Sequence, residues 1–242
     1  MSIVKPKTAL ISLSDKTNIK TIVEFLEEKK IKILSTGGTY KAIKEITKNV
    51  IEVSEFTGFE EMMDGRVKTL HPKIHAGILA RRDSDMSVLK EKGYEPIDLV
   101  IVNLYPFEET IKKDCSFEEA IEQIDIGGPT MIRAAAKNFK DVVVVTDPND
   151  YKNIINEWNE KDGISYESRK SLSKKVFSTM ANYNKSIYSY LSEDISDSIH
   201  NYEFKESTSL RYGENPHQNA SLYTFKSLKY RNIANSNVIQ GK

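Results

Sequence analysis

Five short runs of apolar and β-branched residues recur along the chain: Thr8 to Ser12, Ile31 to Ser35, Val50 to Val53, Leu99 to Leu104 and Val142 to Thr146. Runs this short, bounded by polar segments, predict strands. Between them apolar positions return at steps of three and four. Ile19, Ile22, Val23 and Leu26 do so within Thr17 to Glu28, and Ala42, Ile43 and Ile46 within Thr39 to Lys48, which predicts amphipathic helices. The fourth and fifth runs, LVIVNL and VVVVT, are apolar without alternation, the pattern of strands covered on both faces. Strand and helix alternate, so the expected class is α/β, with a five-stranded, mostly parallel sheet flanked by helices. Right-handed crossovers gather the strand-to-helix loops of such a sheet along one edge, where its ligands bind.

Further on, Ser116 and Glu119 form a capping box, and Gly127-Gly128-Pro129 sets proline in the first turn of another helix. From Tyr166 to Leu191 an apolar stripe of Leu172, Val176, Met180, Tyr183, Ile187 and Leu191 predicts one long helix. Its stripe is packing surface, for the sheet or for a second subunit. The polar stretch SEDISDSIHNYEFKES then reads as a linker. The expected organisation is a domain over 1–200, a linker over 201–208, and over 209–242 the start of a second domain, too short for a core of its own.

Composition narrows the function classes. No apolar run approaches the roughly 18 residues of a membrane span, and the start, MSIVKPKTALIS, lacks the basic and apolar regions of an export signal. A soluble, cytoplasmic protein is expected, and the single cysteine, Cys115, suits a reducing compartment. Thirty-five basic residues balance thirty-five acidic ones, so no net field draws the chain to nucleic acid or to a membrane. Any charge used in binding is local, as in the cluster Arg66, Lys68, Lys73, Arg81 and Arg82.

The chemistry-bearing residues sit where the strands end. Ser12-Leu13-Ser14-Asp15-Lys16-Thr17 follows the first strand with hydroxyls, a lysine and helix-start N–H groups suited to an anion. Ser35-Thr36-Gly37-Gly38-Thr39 holds the equivalent place after the second, its glycines allowing close backbone approach. Neither GxGxxG nor a P-loop occurs in the chain, which disfavours dinucleotides and triphosphate hydrolysis and leaves a monophosphate. After the third strand comes Arg66-Val67-Lys68-Thr69-Leu70-His71-Pro72-Lys73-Ile74-His75, able to complete an anion clamp. Pro72 argues against a helix through His71 and His75, and no metal site is expected. Asn103 and Tyr105 close the fourth strand. Asp125-Ile126-Gly127-Gly128-Pro129 opens a helix whose N–H groups could hold an oxyanion, and Lys137 follows. Taken singly, each is as readily a cap, a turn aromatic or a surface lysine.

Together, ISLSDKT, STGGT, DGRVKTLHPKIHAGIL, DLVIVNLYPFEET and EQIDIGGPTMIRAAAKN resemble, in order and spacing, the inosine monophosphate (IMP) cyclohydrolase domain of bifunctional purine biosynthesis proteins. The resemblance implies a methylglyoxal-synthase-like fold. It also implies the last step of purine synthesis, in which 5-formamidoimidazole-4-carboxamide ribonucleotide (FAICAR) closes to IMP with loss of water, without cofactor or metal. Carried over by motif, Ser12, Ser14, Lys16, Ser35, Thr36, Gly37, Arg66 and Thr69 would hold the phosphate and ribose. Asn103, Asp125, Ile126 and Gly127 would meet the two reacting arms, and Lys68, Tyr105, Asp125 and Lys137 would form the catalytic set. The segment SLRYGENPHQ resembles the opening of the folate-dependent transformylase domain of the same proteins, where Arg211, Tyr212 and His217 would help bind substrate and 10-formyltetrahydrofolate would be cosubstrate. Transformylase activity is not expected of this chain, and the family's habit implies a homodimer. Two other readings use the same fold: a phosphate-eliminating lyase of the methylglyoxal-synthase kind, disfavoured by NLYPF and DIGGP, and a non-catalytic nucleotide sensor, which could dispense with Lys68, Tyr105 and Lys137.

Overall fold

The computed structural model describes residues 2–63, 65–113, 115–192, 204–215, 217–225, 236–237 and 239. The chain divides into two units, Met1–Leu191 and Ser192–Lys242. In chain order the larger runs β1 (Ile3–Val4), β2 (Thr8–Leu13), α1 (Ile19–Glu28), β3 (Lys32–Ser35), α2 (Gly37–Lys44), β4 (Val50–Glu52), α3 (Val53–Thr57), α4 (Pro72–Leu79) and α5 (Met86–Glu91). It continues with β5 (Leu99–Asn103), α6 (Phe107–Thr110), α7 (Phe117–Glu122), α8 (Gly127–Lys137), β6 (Val143–Val145), α9 (Tyr151–Lys161), β7 (Ile164–Ser165) and α10 (Tyr166–Leu191).

All five expected strands form one sheet in the order β4-β3-β2-β5-β6, with every neighbouring pair parallel. Its two faces follow from the period of two along each strand. Leu10, Val100, Val102 and Val144 face one apolar layer with Ile74 and Ile78 of α4, Met131 and Ile132 of α8, and Val176 and Met180 of α10. Ala9, Ile11, Ile33, Ile101, Val143 and Val145 face the other, against Ile22, Val23 and Leu26 of α1 and Ile154 and Trp158 of α9. The chain steps outward from β2 to β3 and β4, then returns to lay β5 on the other side of β2. That reversal is where the loops leaving neighbouring strands diverge and open a crevice at the strands' carboxyl ends.

The long helix spans the stretch its stripe predicts, and the stripe packs on the sheet layer from Leu172 to Ile187, with Val176, Met180 and Tyr183 buried, while Leu191 at its end is exposed. Burying such side chains stabilises by roughly 1.5–3 kcal/mol each. The first turn of the same helix holds a residue absent from the sequence-based expectations: Arg169, fully buried. Its guanidinium donates to the carbonyls of Phe139 (2.9 Å), Lys140 (2.9 Å), Ser2 (3.2 Å) and Ile164, and to the Ser2 hydroxyl (3.1 Å), tying the N-terminus, the loop after α8 and β7 together. As the proline argued, no helix runs through His71, which is extended; a short helix begins one residue later. Pro72 is the first residue of α4, the position at which its missing N–H matters least, and His71 caps it by accepting from Lys73 N–H at 3.1 Å.

In the smaller unit β8 (Phe204–Ser209) pairs antiparallel with β9 (Ser221–Phe225). Part of the stretch read as a linker is thus strand, while the boundary expected near residue 200 and residues 201–203 lie outside the described residues. Among the described residues no helix is long and apolar enough to cross a membrane.

Candidate functional site

The loops at the carboxyl ends of β2, β3 and β5 enclose a cleft of about 1030 Å3. Its lining includes Ser12, Ser14, Lys16, Thr36, Gly37, Arg66, Lys68, Thr69, Asn103, Tyr105, Asp125, Ile126 and Gly127, so thirteen candidate residues from separate stretches of chain converge. Ser35 and Lys137 do not line it. The Ser35 hydroxyl turns into the sheet and donates to the Ile11 carbonyl at 2.8 Å, leaving only its backbone beside the loop. Lys137 is the last residue of α8, whose first residue is in the cleft, and at 1.5 Å per residue the two ends lie about 15 Å apart.

The loop after β2 is held by its neighbours. Thr39 Oγ1 accepts the Leu13 N–H at 2.8 Å and donates to the Leu13 carbonyl at 3.0 Å. Asn103 Oδ1 accepts the N–H groups of Ser14 (2.7 Å) and Asp15 (3.0 Å), its Nδ2 donates to the Asp15 carbonyl (2.7 Å), and Asp15 accepts from Thr17 N–H (2.8 Å). Two expectations change accordingly. The N–H groups of Leu13, Ser14, Asp15 and Thr17 are occupied, so within 12–17 the donors left to meet an anion include the Ser12 and Ser14 hydroxyls and Lys16, while the start of α1 carries no side-chain cap. The Asn103 amide fastens that loop instead of standing free for a ligand.

The loop after β3 is built differently. Gly37 has φ 55°, the left-handed region where glycine is unstrained, and there α2 begins. Thr36 at its N-cap makes no capping bond, so the first-turn N–H groups stay free of a side-chain partner. The Thr36 Oγ1 is itself buried and has no hydrogen-bond partner, although the residue is only 6% exposed. A buried hydroxyl without a partner beside an uncapped helix start is a place prepared for an acceptor-rich anion.

Residues 66–69 form a strap from this helix start to the next. Lys68 Nζ lies over Gly37, 3.1 Å from where a Cβ would stand, and Thr69 Oγ1 lies over Gly127, 2.7 Å from the corresponding point. Lys68 and Arg66 form ion pairs with Glu61 and Glu122, two carboxylates that the motifs did not single out. Both pairs are solvent-exposed on at least one side and lend little stability.

At the far side Asp125 folds its carboxylate back over the start of α8. Oδ1 accepts the Gly128 N–H at 2.8 Å, and the nearby N–H groups of Tyr105 and Gly127 also favour the charged carboxylate. The N–H groups expected to hold an oxyanion are therefore directed at Asp125. Burial pushes the Asp125 carboxyl above its ordinary range, and those N–H groups pull it part of the way back. Tyr105 is half exposed at 52%, leaving its phenol open to the cleft. The Asp125 main-chain N–H donates to the Tyr183 hydroxyl of α10 at 2.8 Å, a contact hidden in the sequence because Tyr183 reads as one more member of a packing stripe. Thr39 was legible as the last residue of STGGT. Glu122 opens the block EQIDIGGPTMIRAAAKN without standing out within it, and Glu61 carries no local signal. In the other unit Arg211, Tyr212 and His217 lie between β8 and β9, all exposed.

The description of an MGS-like domain matches residues 18–130, and that of the AICARFT/IMPCHase bienzyme matches residues 135–242. The chain is 54% identical over 226 residues to a bifunctional purine biosynthesis protein PurH of Clostridium botulinum, covering 93% of this chain and 45% of that protein. It is 55% identical over 219 residues to the PurH of Clostridium acetobutylicum, covering 90% of this chain and 44% of the other. Among solved structures it resembles the crystal structure of ForH, with TM-score 0.66 and 32% identity over 76% of this chain and 97% of that one. The chain thus spans a little under half the length of the curated relatives it matches.

Proposed function

Because the chain belongs to the AICARFT/IMPCHase bienzyme family and its larger unit is an MGS-like domain, we propose that this unit is an IMP cyclohydrolase acting on FAICAR. The observation that carries the proposal is the strap 66–69, whose consecutive residues Lys68 and Thr69 touch an anion-ready helix start on one side and the Asp125 turn on the other. A ribonucleotide monophosphate laid along it sets its 5′-phosphate on Thr36, the start of α2, the serine hydroxyls and Lys16, and its imidazole arms between Lys68, Tyr105 and Asp125.

In the proposed reaction the carboxamide nitrogen attacks the formyl carbon, forming the new C–N bond as the formyl C=O becomes C–O−. The Lys68 ammonium stabilises that oxygen, and Asp125, whose raised carboxyl suits a base working nearer neutrality, takes a proton from the nitrogen. The oxygen takes one proton from Tyr105 and the one held by Asp125 and leaves as water; as the C–O bond breaks, the formamido nitrogen gives up its own proton to the Tyr105 phenolate and forms the C=N bond, giving IMP with both groups restored. An amide nitrogen is a weak nucleophile, so orientation carries much of the rate. Positioning of this kind is worth roughly 7–11 kcal/mol when complete. Ring closure as drawn needs neither metal nor cofactor, and Lys137 has no part in it.

Assembly as a cytoplasmic homodimer rests on the family resemblance, since the stripe of α10 is used on the sheet. Folate-dependent transformylation belongs, by the same resemblance, with the second unit. The test of the proposal is to mix the purified chain with FAICAR and follow the ultraviolet absorbance of IMP. Stoichiometric conversion well above the uncatalysed rate is expected, whereas tight binding of IMP without turnover would make the domain a nucleotide sensor.

A further inference from the structure

Asp125 is held from two sides. The Gly128 N–H fixes its carboxylate, and its own backbone hangs on a single side chain, the Tyr183 hydroxyl 2.8 Å from its N–H. Tyr183 stands on the middle of α10, 9% exposed, within the apolar layer on that face of the sheet. Its ring meets Phe107 edge-on at 6.3 Å, and Phe107 meets Tyr190 at 5.7 Å. Phe107, 1% exposed, lies two residues after Tyr105 and begins α6. One tyrosine of the long helix thus touches both stretches that present the cleft's acid–base groups, by hydrogen bond to the Asp125 turn and by ring contact to the Tyr105 turn. A phenylalanine would pack the stripe as well. The oxygen has a separate use.

We propose that Tyr183 is a positioning residue of the cyclohydrolase site, which registers Asp125 and Tyr105 against each other by anchoring both loops to α10. The inference rests on the cyclohydrolase reading for its consequence in catalysis, but the anchoring itself does not. Without the hydroxyl, the Asp125 N–H is left facing aromatic carbon, where an unsatisfied donor is unfavourable, so the turn must shift to find water. A shifted turn loosens the contacts from Gly128, Gly127 and Tyr105 that favour the charged carboxylate. The other titratable groups lining the same cleft are Lys16, Arg66, Lys68, Tyr105 and Glu122, and Tyr183→Phe leaves them all in place.

The test compares wild type, Tyr183→Phe and Val176→Ala by following the Asp125 carboxyl carbon through a pH titration by NMR, with IMP formation measured in parallel. Val176 is buried on the same helix two turns before Tyr183 and has no polar side-chain group to anchor Asp125, so it reports simple loosening of α10. In Tyr183→Phe the Asp125 midpoint rises by about half a unit or more, the acid limb of kcat/KM moves with it, and kcat falls about tenfold while KM stays within about twofold. Val176→Ala lowers the melting temperature but leaves the midpoint in place. An Asp125 midpoint unchanged in Tyr183→Phe, or moved equally by Val176→Ala, overturns the proposal. A wild type that makes no IMP while the Tyr183→Phe midpoint still shifts defeats the cyclohydrolase reading and leaves the anchoring supported.

Discussion

Gly128 is the second residue of α8, and its missing side chain is what lets Asp125 lie across the helix start. A Cβ added there would stand 2.4 Å from Asp125 Oδ2, 3.0 Å from its Cγ and 2.8 Å from Leu104 Cδ2. Neither neighbour is a freely swinging end. The carboxylate is held by the Gly128 N–H and Leu104 packs against the core, so Gly128→Ala must push Asp125 outward by the better part of an ångström. Two effects oppose each other in stability. Overpacking of this kind costs about 1–3 kcal/mol, while alanine in place of glycine within a helix returns up to about 1 kcal/mol. The net loss lies between about 0 and 3 kcal/mol, which urea unfolding measures. Activity has no such offset, because misplacement of a catalytic group by about 1 Å lowers the rate on the order of a hundredfold. The expected variant is therefore folded and somewhat weakened, with kcat/KM for IMP formation reduced about a hundredfold. A Gly128→Ala protein with wild-type kcat/KM would refute the claim that the Asp125 carboxylate works from its place against α8.

Lys68→Ala should lower turnover by about two to three powers of ten if Lys68 stabilises the developing oxyanion. Its melting temperature should barely move, since the partner Glu61 is 53% exposed and needs no cation to stay solvated. Arg169→Met removes every donor from a fully buried cluster of carbonyls, and a loss of about 3 kcal/mol or more in urea unfolding is expected, with the cleft chemistry otherwise intact. Glu157 supplies a pH dependence. Burial pushes its carboxyl up, but hydrogen bonds from Ser165, Ser168 and Lys161 outweigh that and bring it down to about 2. A carboxyl lowered on folding stabilises fully above its unfolded value and loses that contribution as pH falls toward about 2. Unfolding free energy should drop by up to about 3 kcal/mol between roughly pH 5 and 2, and Glu157→Gln should flatten that slope.

The sheet was legible because its signal is local. LVIVNL and VVVVT are buried on both faces and read as such, and all five runs fall within one or two residues of the observed strands. The placement of Thr36, Lys68, Thr69 and Asp125 around one cleft followed from the rule that parallel sheets bind at their carboxyl edge, together with the motif resemblance. What stayed hidden depends on partners distant in the chain. Asn103 looks like a ligand-binding amide until Ser14 and Asp15 are seen to occupy it. Arg169 is an ordinary helix residue in sequence, and only the fold brings four carbonyls around it. Lys137 shares a helix with Gly127, and only counting its rise separates the two. Short α4 was not foreseen, since the proline argument covered only a helix through His71, and α4 begins one residue later with Pro72 at the turn that accepts it.

The account turns on one arrangement, a monophosphorylated imidazole lying along residues 66–69 with its phosphate on the start of α2. A crystal structure of the chain with IMP tests this directly. The phosphate is expected within hydrogen-bond distance of Thr36 Oγ1 and the first-turn N–H groups of α2, with the base between Lys68 and Asp125. A nucleotide bound with its phosphate elsewhere in the cleft, or with Thr36 Oγ1 still unpartnered, would contradict it.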